Sequence, residues 1–350
     1  MRIGLVGYGF GGRFFHAPLL TSLADATLVG VVTRADERRQ QLNADHPDVP
    51  AFDSIGQLVE AGVDLLVICT PLPGRAALIQ EAFDLGVAVV TDKPFASDAS
   101  QAAALIDAAQ AAGVPFTVYQ NRRWDSDFLT VRKLIADGTL GSISHFESRF
   151  ERYSPQSLGD TSAGGVLLDL GSHLVDQALQ LFGSVETVYG ELYYSPQAPE
   201  LDYGFFVALR HHNGVVSHLY GNKLQDAEPR RFRVTGSLGT YCVEGLDGQE
   251  EATLAGRSPR SEGERWGVEE HRRWGWFERG SERLKIRSEH GNWPQFYGQV
   301  VEALKQGGEM PVALADALLT VRILDAARQS AQRREVVTMP APEGPKKNLE

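Results

Sequence analysis

Short apolar or β-branched runs recur along the first 120 residues, at Arg2–Val6, Thr27–Thr33, Leu65–Cys69, Val87–Thr91 and Pro115–Tyr119. Longer segments of helical composition separate them, among them Gly74–Leu85 and Ala99–Ala112. The second stops at Gly113 with Pro115 just beyond, the usual punctuation of a helix end. Strands that are apolar throughout and joined by helices predict a parallel sheet covered on both faces. Right-handed crossovers then make the fold doubly wound.

Beyond residue 121 the pattern changes. A helix is expected around Asp127–Ala136, ending at Gly138, followed by an alternating strand at Ser144–Phe150. A glycine-containing loop, Leu158–Gly165, leads into a helix from about Val166 to Leu181. Thr187–Tyr194, Gly204–His211, Gly214–Tyr220, Phe232–Gly236 and Gly239–Val243 read as strands in succession, with Asn213-Gly214 as a hairpin signal. Strands without intervening helices predict a largely antiparallel sheet. Residues 256–292 are charged and irregular yet hold Trp266, Trp274 and Trp276, which argues for docking rather than disorder. Two helices, Gln295–Lys305 and Ala313–Ser330, and a polar tail, Pro340–Glu350, complete the chain. The expected architecture is a doubly wound Rossmann sheet over residues 1–120 and an α+β domain over 121–350.

Composition narrows the function. The length of 350 residues suits roughly two domains. Forty-five acidic against 34 basic residues leave a net charge of −11, which disfavours nucleic acid as a partner. No apolar run approaches a membrane span. Cys69 and Cys242 are too few for a disulfide framework and suit a reducing cytoplasm. An enzyme acting on a small molecule is the expectation.

Gly7-Tyr8-Gly9-Phe10-Gly11-Gly12 follows the first strand and precedes a helix, with a second strand about 20 residues on. In that context Gly7 makes the turn, Gly9 admits a pyrophosphate and Gly12 lets helix and strand pack closely. Phe10 and Gly11 complete the loop, whose backbone amides would hold the anion. An NAD site usually ends the second strand with Asp or Glu; here Thr33-Arg34 stands there, with Arg38 one turn on. A guanidinium can bond a 2′-phosphate that a carboxylate would repel. NADP(H) is therefore favoured, with NAD(H) the alternative if Arg34 is solvated and Asp36 or Glu37 serves the ribose.

Ligands of such sheets sit beyond the carboxyl ends of the strands, which marks Thr70-Pro71, Asp92-Lys93-Pro94 and Gln120-Asn121-Arg122-Arg123 as well. Lys93 could steady negative charge on a substrate oxygen; a surface lysine closing a turn is the plainer reading. Asp169, His173 and Asp176 lie at helical spacing. A carboxylate beside an imidazole would raise its basicity and suit a general base. Metal binding would need a third ligand, and none stands at a recognisable spacing. Gly171 inside the helix suggests close approach of another group, such as a nicotinamide ring.

Together these motifs resemble the glucose-fructose oxidoreductase / inositol dehydrogenase / MocA (Gfo/Idh/MocA) family. The resemblance rests on Gly7-x-Gly9-x-x-Gly12, Thr70-Pro71, Asp92-Lys93-Pro94 and Gly165-x-x-x-Asp169-x-Gly171-x-His173-x-x-Asp176. His16-Ala17-Pro18-Leu19 and Gln120–Leu129 look like the subgroup containing NADP-dependent scyllo-inositol dehydrogenase. The resemblance implies a C-terminal sheet that forms a homodimer or homotetramer interface, a catalytic trio of Lys93, Asp169 and His173, and a cis Lys93–Pro94 peptide. Two positions depart from the family pattern. Asp92 replaces the usual Glu, and Leu72 and Arg75 replace an Asn and a His, leaving Arg75 either near the phosphates or facing solvent.

The resulting expectation is an NADP(H)-dependent oxidoreductase of a cyclic polyol or sugar. His173 would exchange the hydroxyl proton, Asp169 orient it, and Lys93 polarise the oxygen. Lys93, Asn121, Arg122, Tyr153, Asp169, His173 and Asp176 would contact substrate. Thr33, Arg34, Arg38, Thr70, Pro71, Asp92 and Lys93 would join the glycine loop around the cofactor. The rivals are a non-catalytic NADP(H) sensor and a reductase of another keto-sugar or aldehyde.

Overall fold

A computed structural model describes residues 1–226 and 230–341. Strands β1 (Arg2–Val6), β2 (Thr27–Val32), β3 (Ala51–Phe52), β4 (Leu65–Ile68), β5 (Ala88–Asp92) and β6 (Phe116–Tyr119) form a parallel sheet. Its order, β3-β2-β1-β4-β5-β6, reverses direction between β1 and β4. That reversal opens a crevice at the carboxyl ends of the strands, where dinucleotides bind in this topology. The strands are buried on both faces, as their unbroken apolar composition requires. Helix Ala99–Ala112 begins where the Asp98 side chain accepts the Gln101 N–H, and it ends at Gly113 in the left-handed region.

The second sheet holds β7 (Ile143–Glu151), β8 (Val185–Ser195), β9 (Ala198–His211), β10 (Val216–Asn222), β11 (Arg230–Gly236), β12 (Gly239–Glu244), β13 (Gly275–Arg279), β14 (Glu282–Ile286) and β15 (Val337–Thr338). Their order is β14-β13-β12-β11-β7-β10-β9-β8-β15, antiparallel except for the β7–β10 pair. Register keeps Phe146, Phe205, Val207, Leu209, Leu219 and Phe232 on one face, buried against helices Gly171–Phe182 and Leu314–Arg333. The other face carries half-buried His145, Tyr189, Phe206, His218 and Tyr220 in mutual ring contact, with no helix across it among the described residues.

The two cores are tied by the end of the chain. Helix Pro294–Gln306 returns to the first sheet, where Trp293, Phe296, Tyr297 and Val300 join its core. The helix Leu314–Arg333 buries Ala317 and Val321 in the first core and Ile323, Leu324 and Ala327 in the second. Within the tryptophan-bearing segment, Trp266 is buried and donates to Gln249 Oε1 at 2.8 Å, while Trp276 lies on β13. Of the polar tail, residues 342–350 lie outside the described residues.

Candidate active site

The turn after β1 needs glycine twice. Gly7 has φ +103°, and a Cβ at Gly12 would lie 2.2 Å from the Gly7 carbonyl oxygen. A Cβ at Gly9 would meet nothing within 4 Å, so that side of the loop faces open space. The chain then turns helical at Gly11. Phe10 is exposed at the mouth, its ring against Phe14 and Phe15.

Gly9, Phe10, Gly11, Thr70, Pro71, Asp92, Lys93, Asn121, Arg122, Asp169 and His173 line one cleft between the two sheets. The Thr70 hydroxyl is buried there without a hydrogen-bond partner among the described residues. An open glycine loop and an unpartnered donor at a topological switch point fit a nicotinamide dinucleotide. Thr33, Arg34 and Arg38 are not among the residues lining the cleft; they lie at and beyond the end of β2. Thr33 is buried, exposed Arg34 donates to the Asp53 carbonyl at 3.3 Å, and Arg38 donates to Gln41 Oε1 at 2.7 Å.

Arg75 does not face solvent, and it lines the cleft. It is buried, and its guanidinium donates to the carbonyls of Thr70, Asp92 (2.7 Å) and Pro94 (2.6 Å). One planar fork thus locks the loop after β4 to the loop after β5. The Lys93–Pro94 peptide in that second loop is cis, as the resemblance implied.

Lys93 Nζ donates to Asp169 Oδ1 at 2.8 Å and to the Asp169 carbonyl at 3.1 Å. Lys223 Nζ stands 3.3 Å from Asp169 Oδ2. Burial alone would raise the Asp169 carboxyl, but Lys93 and Lys223 hold it down to about 2. The expected carboxylate–imidazole pair is therefore not formed. Asp169 ends one helical turn, Val166–Asp169, and His173 belongs to the next helix, Gly171–Phe182. Burial, then Lys93, Arg122, Arg231 and Arg152, push the imidazole well below its ordinary range, the reverse of the raised basicity expected from spacing. Its Nδ1 is buried with no partner among the described residues, and its ring lies parallel to Phe150 at 6.3 Å.

On the other side of the Phe150 ring lies an ion network. Arg122 donates to Asp125 Oδ2 at 3.1 Å and Glu250 Oε2 at 2.5 Å, with its guanidinium over the Phe150 ring. Arg152 donates to Glu250 Oε1 at 3.2 Å. Two expected substrate contacts fall elsewhere. Asp176 is taken up by a two-pronged bond from buried Arg123, at 2.8 and 2.6 Å, and does not line the cleft. Tyr153 is exposed and likewise outside the lining, held by a bridge to Leu224. Gly171 is approached by Leu324, Leu167 and Phe205, so close helix packing explains it rather than a ligand.

Sequence reasoning missed Lys223, Arg152 and Glu250, all of which line the cleft. Lys223 and Arg152 immediately follow the neighbouring strands β10 and β7, at the ends that face the first sheet's cleft. Recognising that the two strands pair in parallel would have brought the two cations together. Glu250 comes from helix Gly248–Leu254 and carried no local signal.

Two family descriptions match the chain. The oxidoreductase family with an NAD-binding Rossmann fold (GFO_IDH_MocA) matches residues 1–120, and its C-terminal alpha/beta domain matches residues 132–339. The scyllo-inositol 2-dehydrogenase (NADP(+)) IolW of Bacillus subtilis is 30% identical, over 97% of this chain and 96% of its own. The oxidoreductase YdgJ of Escherichia coli is 35% identical, over 97% and 99%. Among solved structures, the Bacillus subtilis oxidoreductase yvaA superposes with a TM-score of 0.89 at 30% identity, covering 97% of this chain and 98% of that one. Both halves of the chain, and the cleft between them, thus place it in the Gfo/Idh/MocA family, and it is an NAD(P)-dependent oxidoreductase.

Proposed function

We propose that this enzyme is an NADP(H)-dependent dehydrogenase of a secondary alcohol on a cyclic, inositol-like polyol or a sugar. The observation that carries this is the meeting of Lys93, Asp169 and His173 on the wall of the cleft into which the open glycine loop faces. Its charged side chains share partners, Lys93 and Lys223 on Asp169, Arg122 and Arg152 on Glu250. A hydroxylated substrate, whose groups both donate and accept, suits a lining of such donors and acceptors. The polyol dehydrogenation named for the Bacillus relative agrees. Arg34 at the end of β2, where an acid would favour NAD, supports NADP(H).

The residues divide the work as follows. When bound beside the glycine loop, nicotinamide would supply the hydride chemistry of the reaction. Lys93 Nζ donates to the substrate oxygen and steadies the charge that develops there. Asp169 keeps that ammonium aimed, with Lys223 on its other oxygen. The imidazole of His173, kept neutral by burial and neighbouring cations, takes the hydroxyl proton in oxidation and returns it in reduction. Asn121 and Arg122, with Arg152 and Glu250, bound the space for the rest of the substrate.

In this reading residues 1–120 bind cofactor, and residues 121–350 bind substrate and associate with a second copy. The open face of the second sheet, with His145, Tyr189, Phe206, His218 and Tyr220, is the surface for a homodimer or homotetramer. Buried, unpaired Cys69 and Cys242 suit the reducing cytoplasm. No helix among the described residues is long and apolar enough to cross a membrane. The test is the initial rate of NADPH formation across scyllo-inositol, myo-inositol and common aldoses. Turnover with a polyol or sugar supports the reading, and silence across the panel with tight NADPH binding overturns it.

A further inference from the structure

His16 has no part in the chemistry above, yet it is fully buried beneath the glycine loop. Its ring packs on Tyr119 with centroids 4.5 Å apart, and its Nδ1 lies 2.5 Å from the Tyr297 hydroxyl. Its Nε2 is buried without a hydrogen-bond partner among the described residues and stands 3.6 Å from Asp92 Oδ2. The other carboxylate oxygen, Oδ1, accepts the Lys93 N–H at 2.8 Å. A Cβ at Gly11 would lie 3.2 Å from Oδ2, so the carboxylate sits directly against the loop.

An ionised carboxylate only accepts, so the tautomer that suits the pair has its hydrogen on Nε2, which faces Asp92. In a neutral ring Nδ1 must then accept, and the Tyr297 hydroxyl is the donor beside it. Burial works against ionisation of Asp92, but His16, followed by Arg75 and Lys93, holds its carboxyl below the usual range. The position matters as much as the charge. With a pyrophosphate over Gly9 and the adenosine half at the end of β2, the nicotinamide half would be directed to the ends of β4 and β5. Asp92 is the last residue of β5 and lines the cleft there.

We propose that His16, braced by Tyr297, is a positioning residue that holds the Asp92 carboxylate against the glycine loop as an acceptor for the nicotinamide end of the cofactor. An acceptor-only group there suits the amide N–H of a carboxamide. The inference rests on the reading of the cleft as a dinucleotide site, and goes beyond it by assigning the buried His16–Tyr297 pair a role in recognising the ring.

The test separates ring recognition from packing. Dissociation constants of full-length wild type, His16→Leu, His16→Gln and Tyr297→Phe are measured by fluorescence or calorimetry. The ligands are NADPH and NADH, each beside the fragment that lacks the ring, 2′-phospho-ADP-ribose and ADP-ribose. His16→Leu is expected to weaken the dinucleotide about tenfold, the loss of one charge-assisted bond, with the fragment unchanged within about twofold. His16→Gln, which returns an N–H towards Asp92, should recover most of that loss. Tyr297→Phe should give a smaller loss in the same direction, and it keeps the question open to test if His16→Leu does not fold. Equal weakening of dinucleotide and fragment would assign His16 to packing and overturn the proposal, as would no change in either. Wild type that binds the dinucleotide no more tightly than its fragment would also overturn it. Wild type that binds none of the four ligands would instead overturn the dinucleotide reading of the cleft.

Discussion

Asp169 offers its two carboxylate oxygens to two lysines, Lys93 at 2.8 Å and Lys223 at 3.3 Å, and is hydrogen-bonded through neither to His173. The carboxylate therefore acts on the Lys93 ammonium, which in the proposed reaction meets the substrate oxygen, and not on the imidazole. That division of labour has measurable consequences.

Asp169→Asn removes the anion that orients Lys93, and turnover should fall about 100-fold or more while cofactor binding persists. Steady-state rates and a cofactor titration check this. Stability carries a second signature. The folded value of about 2 lies below the ordinary aspartate value, so the stabilisation is complete above about pH 4 and lost as pH falls towards 2. Denaturant unfolding of Asp169→Asn should show a shallower loss over that interval than wild type.

His173→Ala should lose about 100- to 10,000-fold in turnover yet still bind NADPH; equal turnover would remove His173 from the mechanism. The folded imidazole is depressed by burial and then by Lys93, Arg122, Arg231 and Arg152. The unfolded chain therefore binds the extra proton first, and stability drops as pH falls below about 6.5. The more conservative His173→Asn should lessen the difference in unfolding midpoint between about pH 7.5 and 5.5.

Arg75→Met strips the carbonyls of Thr70, Asp92 and Pro94 of their shared donor. At about 1–3 kcal/mol for each buried group left unsatisfied, a loss of about 3 kcal/mol or more is expected in urea unfolding. Arg75→Lys, with one ammonium for three carbonyls, should fall between the two.

Arg34→Asp should weaken NADPH binding more than NADH binding, because a carboxylate repels the 2′-phosphate and accepts from a 2′-hydroxyl. An unchanged ratio of dissociation constants would sink the assignment of Arg34 to that phosphate.

Much of the fold was legible because burial writes itself into composition. Leu65–Ile68 and Ala88–Asp92 are apolar almost throughout, as strands covered on both faces must be. Glu282–Ile286 is an exposed edge strand of mostly charged residues, so no hydrophobic pattern announced it or its partner Gly275–Arg279. The site was legible in identity and misleading in arrangement. The spacing of Asp169 and His173 put them on one helical face, but Leu170 separates two helices and Asp202 accepts the Leu167 N–H at the start of the first. Arg75 and Lys223 were opaque for another reason: their partners lie on separate elements, and only the folded sheets bring them together.

The central claim is that hydride leaves a hydroxyl-bearing carbon of the substrate for nicotinamide inside this cleft. The most direct test is one turnover of NADP+ with scyllo-inositol deuterated at its ring carbons, followed by mass analysis of the cofactor. The account predicts NADPH heavier by one deuterium in wild type, and none formed in the same time by His173→Ala. NADPH without deuterium, or no reduction of NADP+ by wild type with this polyol, myo-inositol or any of the common aldoses at saturation, would contradict it.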